Sequence, residues 1–488
     1  MDIIDPLTTP EILNLDEISV DPSVALQIQS SIALRRQVLP IAEVENEVVV
    51  ACAEPNNPAS LRAVERLFDL PVRLEQADPD SLRRALRRIF GSGPKKTGGT
   101  DGDEFVRIVD EIINAATLRS ASDIHIEPET NRSVARLRVD GHLEEYRTFP
   151  SSSHSGIISR IKVMASLDIA EKRLPQDGQI SYNNDLNSGG APLNIRAATI
   201  PVRHGEKVTL RLLGIQTEKL TLEKLGMRSE DREIFEGNLA HPHGMILLTG
   251  PTGSGKTSTF YAALRDIQGK GGQSLITIED PVEYNLAGIP QVEVSDERLT
   301  YARALRSVLR HDPDVVMIGE IRDGETAEIA VRSAITGHLV LSTLHTNSAA
   351  GALTRLCDIG VAPFLVAATI RLVAAQRLIR VLCSRCRIPR KMTAQEAHAL
   401  ACPELESRDV WDPGQCAYCA GKGYTGRVGI FELLPIDDDF VALIGKSANE
   451  FDIIQLMRKK KISTLREHGL EKILKGETTV NEVLRVAI

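Results

Sequence analysis

At 488 residues the chain is too long for one core, and about three domains are expected. Hydrophobic residues make up 42% and charged residues 25%, an ordinary soluble mix, but aromatics are only 4% and the net charge is −8. This argues against a general nucleic-acid binder, which more often carries basic surface and stacking rings, so no nucleic-acid partner is expected. No run of about 18 apolar residues predicts a membrane-spanning helix. Met1 to Pro10 carry Asp2 and Asp5 without a basic start, so no signal peptide is read there and a cytosolic location is expected. Seven cysteines then need a reason other than disulfides.

In chain order, Glu47 to Ala53 reads as a strand. Asn57 with Pro58, and Asp78 with Pro79, read as the starts of two helices running to about Phe68 and Phe90. Gly91 to Asp103 is Gly-rich, polar and aperiodic, and reads as a flexible linker. Phe105 to Leu118 has helical spacing, whereas Val134 to Val139 and Leu193 to Thr199 alternate like strands. Asn183 to Gly190 reads as a hairpin tip, and Lys207 to Leu213 as a further strand. Beyond Leu222–Gly226, short apolar runs at Met245–Thr249, Leu275–Ile278, Val315–Ile318 and Leu339–Thr343 alternate with helical segments, as in an α/β sheet. Past Cys419 the chain reads as mostly helical.

One stretch carries phosphate chemistry. Gly250-Pro251-Thr252-Gly253-Ser254-Gly255-Lys256-Thr257 fits G-x-x-x-x-G-K-[ST], follows an apolar strand and leads into a helix at Ser258. Its glycines let backbone N–H groups wrap phosphate oxygens. Lys256 places a positive charge on the β- and γ-phosphates, and the Thr257 hydroxyl suits Mg²⁺. Two carboxylates end apolar strands nearby in sequence. Glu320 suits metal support through water, and Glu279 suits positioning of an attacking water, with the choice of general base left open. Arg306 and Arg310, at i and i+4, are expected on one helix face, as a solvated basic face or an anion contact. Arg322 follows Glu320 closely. His338 and His345 bracket a strand, where His345 is either structural or a hydrogen-bond partner for a phosphate or an acid.

Cys383-x2-Cys386 and Cys416-x2-Cys419 have the spacing of two clasps around one structural Zn²⁺. Cys52, Cys357 and Cys402 read as ordinary thiols.

Taken with Ala121-Ser-Asp-Ile-His-Ile-Glu-Pro128, Arg173-Leu-Pro-Gln-Asp-Gly178, Ile278-Glu-Asp-Pro-Val-Glu283, Gly319-Glu-Ile-Arg-Asp323 and Thr336-Gly-His to His345-Thr-Asn347, these motifs resemble the ATPases of the bacterial type II secretion and type IV pilus assembly family. The resemblance runs from about residue 105 to the end. It implies an α/β fold: a RecA-like P-loop ATPase domain (229–380) preceded by a PAS-like domain (105–228), a linker (91–104) and a small N-terminal adaptor (1–90). A four-cysteine zinc module (381–424) and a helical C-terminal region (425–488) follow. It further implies ATP, Mg²⁺ and Zn²⁺, with Arg196, Arg211, Arg306, Arg310, Arg322 and Arg355 near the nucleotide or a subunit boundary. The implied partners are five further copies in a hexamer and the L and F components of an inner-membrane platform, on whose cytoplasmic face the protein would sit. The activity implied is hydrolysis of ATP to power pseudopilus assembly and protein export across the outer membrane. A pilus extension motor is the alternative, and a nucleic-acid translocase a more distant one. A cyclic-dinucleotide sensor at residues 1–90 finds no paired repeat in its favour.

Overall fold

The computed structural model describes residues 12–487, apart from 17, 19, 26, 29, 45, 56, 69, 91–100, 120, 184–192, 214–220, 296–297 and 420. The chain divides into two units: residues 1–216 with 382–388 and 412–425, and residues 217–381 with 389–411 and 426–488.

Alternation in sequence becomes one-sided burial in the first unit. Its larger sheet has six antiparallel strands, ordered His142–Pro150, Arg132–Val139, Asp123–Pro128, Gly205–Leu213, Leu193–Val202, Gln176–Tyr182. Along Leu193–Thr199 every second side chain is buried and the intervening ones are exposed. Helices Asp101–Leu118 and His154–Met164 cover the apolar face, with Ile112, Ile113, Ile157 and Ile161 in the core. A smaller sheet pairs Val38–Val44, Glu47–Cys52 and Val72–Gln76. Helix Pro79–Phe90 starts where expected, the Asp78 carboxylate accepting from the Ser81 N–H at 2.8 Å.

Most of the predicted linker lies outside the described residues. Its last positions, 101–103, already belong to helix Asp101–Leu118. The predicted hairpin tip beyond Asn183 is likewise outside them.

The second unit is built on continuous apolar runs rather than alternating ones. Its seven-stranded sheet runs Gln291–Glu293, Leu275–Glu279, Val315–Ile318, Leu339–Leu344, Gly244–Thr249, Ile370–Leu382, Tyr424–Pro435. The first six pair in parallel. All residues of Gly244–Thr249 and Leu339–Leu344 are buried, because helices cover both faces. Met245 and Leu247 join one core, and Ile246 and Leu248 the other.

The C-terminal segment opens with a strand, Tyr424–Pro435, where helix was expected. Its Ile430–Leu434 run is wholly buried at the sheet edge, which favours extended backbone over local helix propensity. Helices Asp438–Ile444, Glu450–Lys459, Leu465–Leu474 and Val480–Val486 follow. Among the described residues no helix is long and apolar enough to cross a membrane.

Candidate active site and metal centre

The parallel strands end together at one edge of the sheet, where the phosphate loop leaves Gly244–Thr249 and enters helix Lys256–Lys270. Gly250, Gly253 and Gly255 all have positive φ (150°, 79° and 92°). A Cβ on Gly250 would lie 2.6 Å from the Gln376 carbonyl oxygen, and one on Gly255 2.8 Å from Gln376 Nε2. Glycine is therefore required twice over, by conformation and by space.

The loop's polar groups are arranged for an anion. Ser254 is 4% exposed, and its Oγ has no hydrogen-bond partner among the described residues. Lys256 Nζ folds back to donate to the carbonyls of Gly250 (2.7 Å) and Pro251 (3.1 Å). Burial pushes its pKa down to about 8, opposed by the Glu320 carboxylate and assisted by the Arg377 cation. An orphaned hydroxyl and a buried cation resting on neutral carbonyls fit a phosphate-bearing ligand.

The two acids differ in their surroundings. Glu279, 2% exposed, accepts from the Tyr261 hydroxyl, from Thr277 Oγ1 at 2.5 Å and from Gln291 Nε2 at 3.1 Å. Three donors fix its orientation. Glu320 sits just past strand Val315–Ile318, ion-paired to Arg322 and 3.1 Å from His345 Nε2. Arg322 also reaches Asp280 at 3.5 Å. Glu320, Arg322, Asp280 and His345 thus form one polar cluster.

The other sequence candidates have partners of their own. Helix Tyr301–Val308 ends before Arg310, so the two arginines expected on one face do not share a helix. Leu309 caps it, and Asp312, at φ 51°, turns the chain. Arg306 pairs with Glu325 at 2.7 Å, and Arg310 donates to the Arg306 carbonyl at 2.7 Å. His338 Nδ1 contacts the Ser333 carbonyl at 3.1 Å, and Arg355 lies on helix Ala349–Asp358. Arg196 and Arg211 belong to the first unit, as cross-strand neighbours. Arg211 Nε donates to Asp123 Oδ1 at 2.9 Å.

Several site residues escaped sequence reasoning. Gln376 Oε1 accepts from Thr259 Oγ1 at 2.9 Å, and Arg377, 8% exposed, donates to the carbonyls of Gln376 (3.0 Å) and Asn347 (2.8 Å). The readable signal was a Gln-Arg pair inside the otherwise apolar run Leu372–Ile379.

The cysteine cluster is compact. The four Sγ atoms all lie within 4.8 Å of one another, with 3.7 Å separating Cys383 from Cys416, Cys386 from Cys419, and Cys416 from Cys419. Thiolates at about 2.3 Å from a tetrahedral zinc sit about 3.8 Å apart, so the donor set fits that ion. Close backbone packing builds the clasp. A Cβ on Gly414 would lie 1.8 Å from the Cys386 carbonyl oxygen, and one on Gly423 2.4 Å from Pro413. The Gly423 N–H donates to Cys419 Sγ at 3.1 Å, and Cys416 hydrogen-bonds to the same sulfur, so Cys419 favours its thiolate.

Residues 99–485 match the family model described as type II/IV secretion system protein, and residues 8–95 match the MshEN domain. The type II secretion system protein E of Dickeya dadantii (strain 3937) is 41% identical, over 93% of this chain and 96% of that protein. The type IV pilus assembly ATPase PilB of Myxococcus xanthus (strain DK1622) is 37% identical, over 97% of this chain and 88% of that one. Among solved structures, the pilus retraction motor PilT with bound ADP superposes with a TM-score of 0.52 at 25% identity, covering 77% of this chain and 96% of PilT. The seven-stranded sheet with its phosphate loop is thus a RecA-like core, as expected from sequence.

Proposed function

Since the chain belongs to the type II/IV secretion system protein family, we propose that it hydrolyses ATP to drive assembly of the pseudopilus and protein export through a type II secretion system. The observation that carries this reading is the phosphate loop, whose Ser254 hydroxyl has no partner among the described residues and whose Lys256 ammonium donates to the Gly250 and Pro251 carbonyls.

In this mechanism Lys256 leaves the Gly250 and Pro251 carbonyls for the β- and γ-phosphates. Thr257 and, through water, Glu320 would hold Mg²⁺, which neutralises charge on the transferring phosphoryl group. Glu279, oriented by its three donors, positions the attacking water and takes its proton. His345 holds the Glu320 carboxylate in place. Arg322, beside Glu320, is a further phosphate ligand. The resemblance alone assigns Arg196, Arg211, Arg306 and Arg310 to the nucleotide or a neighbouring subunit. It likewise supplies the hexamer, the L and F platform components and the cytoplasmic face of the inner membrane. Zn²⁺ on the four cysteines would be structural, since four protein ligands leave no open position.

Phosphate release from MgATP by the full-length protein tests the activity. Lys256→Ala is expected to lower turnover by at least about a thousandfold; wild-type turnover in that variant would sink the proposal.

Pilus assembly is the second reading, favoured by the 97% coverage of this chain in the match to PilB. Capture of type II rather than pilus platform proteins by residues 1–90, within the full chain, separates the two.

A further inference from the structure

The loop that follows strand Leu339–Leu344 is tied down one residue at a time, each to a different part of the second unit. His345 Nε2 lies 3.1 Å from Glu320 Oε2. The Thr346 N–H donates to Thr249 Oγ1 at 3.1 Å, and that hydroxyl contacts the Thr346 carbonyl at 2.8 Å. The Asn347 carbonyl accepts from Arg377 at 2.8 Å. Ser348 Oγ donates to Glu450 Oε1 at 2.6 Å, and the Ala349 N–H to Glu432 Oε1 at 3.1 Å. Five successive residues thus join the acid of the nucleotide site and the end of the phosphate-loop strand to the C-terminal strand and helices.

Two of these ties are made by buried ionisable side chains. Arg377 and Glu432 are each 8% exposed. Arg377 comes within 3.0 Å of the place a Gly250 Cβ would occupy, so it backs the phosphate loop directly. Glu432 also accepts from the backbone of Leu465, which begins helix Leu465–Leu474. Burial pushes the Glu432 pKa up and the Arg377 pKa down, their mutual attraction opposes both shifts, and each side chain spends hydrogen bonds on the 345–349 loop. A buried charge holds its partner to one arrangement, because any other leaves it unpaired away from water.

On the premise that the chain is an ATPase, we propose that Arg377 and Glu432 are positioning residues. Together they set the 345–349 loop, and with it His345 and Glu320, in the arrangement needed for hydrolysis, and Glu432 links that arrangement to the C-terminal helices. Arginine suits the task because its planar fork reaches two carbonyls at once. A small shift of the phosphate loop on binding or releasing phosphate would then be felt at both ends of the loop.

The test uses the full-length protein with Arg377→Gln, Glu432→Gln and the double variant. Turnover of MgATP, binding of a fluorescent ATP analogue and thermal melting are measured for each. Each single variant is expected to lose about tenfold or more in kcat while the analogue's Kd stays within about threefold of wild type. The double variant is expected to match the worse single one, since the residues act as a unit. If Arg377→Gln fails to fold, Arg377→Lys, which keeps the charge but not the fork, takes its place in the cycle and is expected to show the same loss. Wild-type kcat in the singles, a Kd rise equal to the kcat loss, or multiplying effects would overturn the proposal. In those cases a wild-type chain that still hydrolyses ATP leaves the ATPase reading standing. A wild-type chain with no turnover removes both.

Discussion

The phosphate loop and the cysteine cluster are both ligand sites by composition, yet they are built in opposite ways. The cluster is closed: four sulfur atoms face one another within 4.8 Å, and glycines at 414 and 423 let the backbone pack against them. The phosphate loop is open: Ser254 Oγ has no partner among the described residues, and Lys256 donates to the loop's own carbonyls. A site that must release its ligand on every cycle keeps donors in reserve, while a structural site spends all of them. On the proposed reading the loop serves chemistry and the cluster stability.

Predictions follow from that contrast, beginning with the thousandfold loss expected of Lys256→Ala. The matching change at the cluster is Cys416→Ser. It is expected to reduce bound zinc from about one per chain to a small fraction, and to expose residues 381–424 to protease. Nucleotide affinity should stay within about threefold; zinc content is read by atomic emission and cleavage by mass spectrometry. Unchanged zinc would break the comparison at its structural end.

Arg211→Ala, in the first unit, sharpens the question of which further groups serve the phosphates. A loss of about tenfold in turnover with an unchanged melting curve is expected if it contacts the γ-phosphate. An unchanged rate in assembled rings would confine the chemistry to the second unit.

The smallest effect concerns pH. Lys256 titrates near 8 in the free protein, lowered by burial, and a bound phosphate restores its charge. Since the ligand prefers the protonated form, affinity is full below pH 8 and falls as pH rises through it. The Kd of an ATP analogue should weaken by about tenfold between pH 7 and 9, as read by fluorescence titration. A flat profile would show that Lys256 is not the cation that meets the phosphates.

The contiguous parts of both sites were legible in the sequence. The phosphate loop lies within eight residues, Gly250 to Thr257, because one turn of backbone makes the cradle. The paired C-x-x-C spacing was equally readable, since each pair clasps one side of an ion. The roles of the acids were not. What distinguishes Glu279 from Glu320 is its three donors, and these come from a helix, its own strand and a neighbouring strand. Arg306 and Arg310 were placed by spacing on one helix that ends between them. The strand Tyr424–Pro435 was missed because its preference for extended backbone comes from the sheet edge it joins.

By itself the sequence determined the periodicities, alternating in one sheet and continuous in the other, and the short motifs whose chemistry is set by neighbours along the chain. Only the tertiary structure decided which carboxylate is enclosed, that Gln376 and Arg377 back the phosphate loop, and that residues 345–349 are bound to five separate elements. Those facts depend on residues more than a hundred positions apart, such as Ser348 with Glu450 and Thr259 with Gln376. Buried charges and hydrogen bonds are fixed by what the fold packs around them, and no local pattern encodes that.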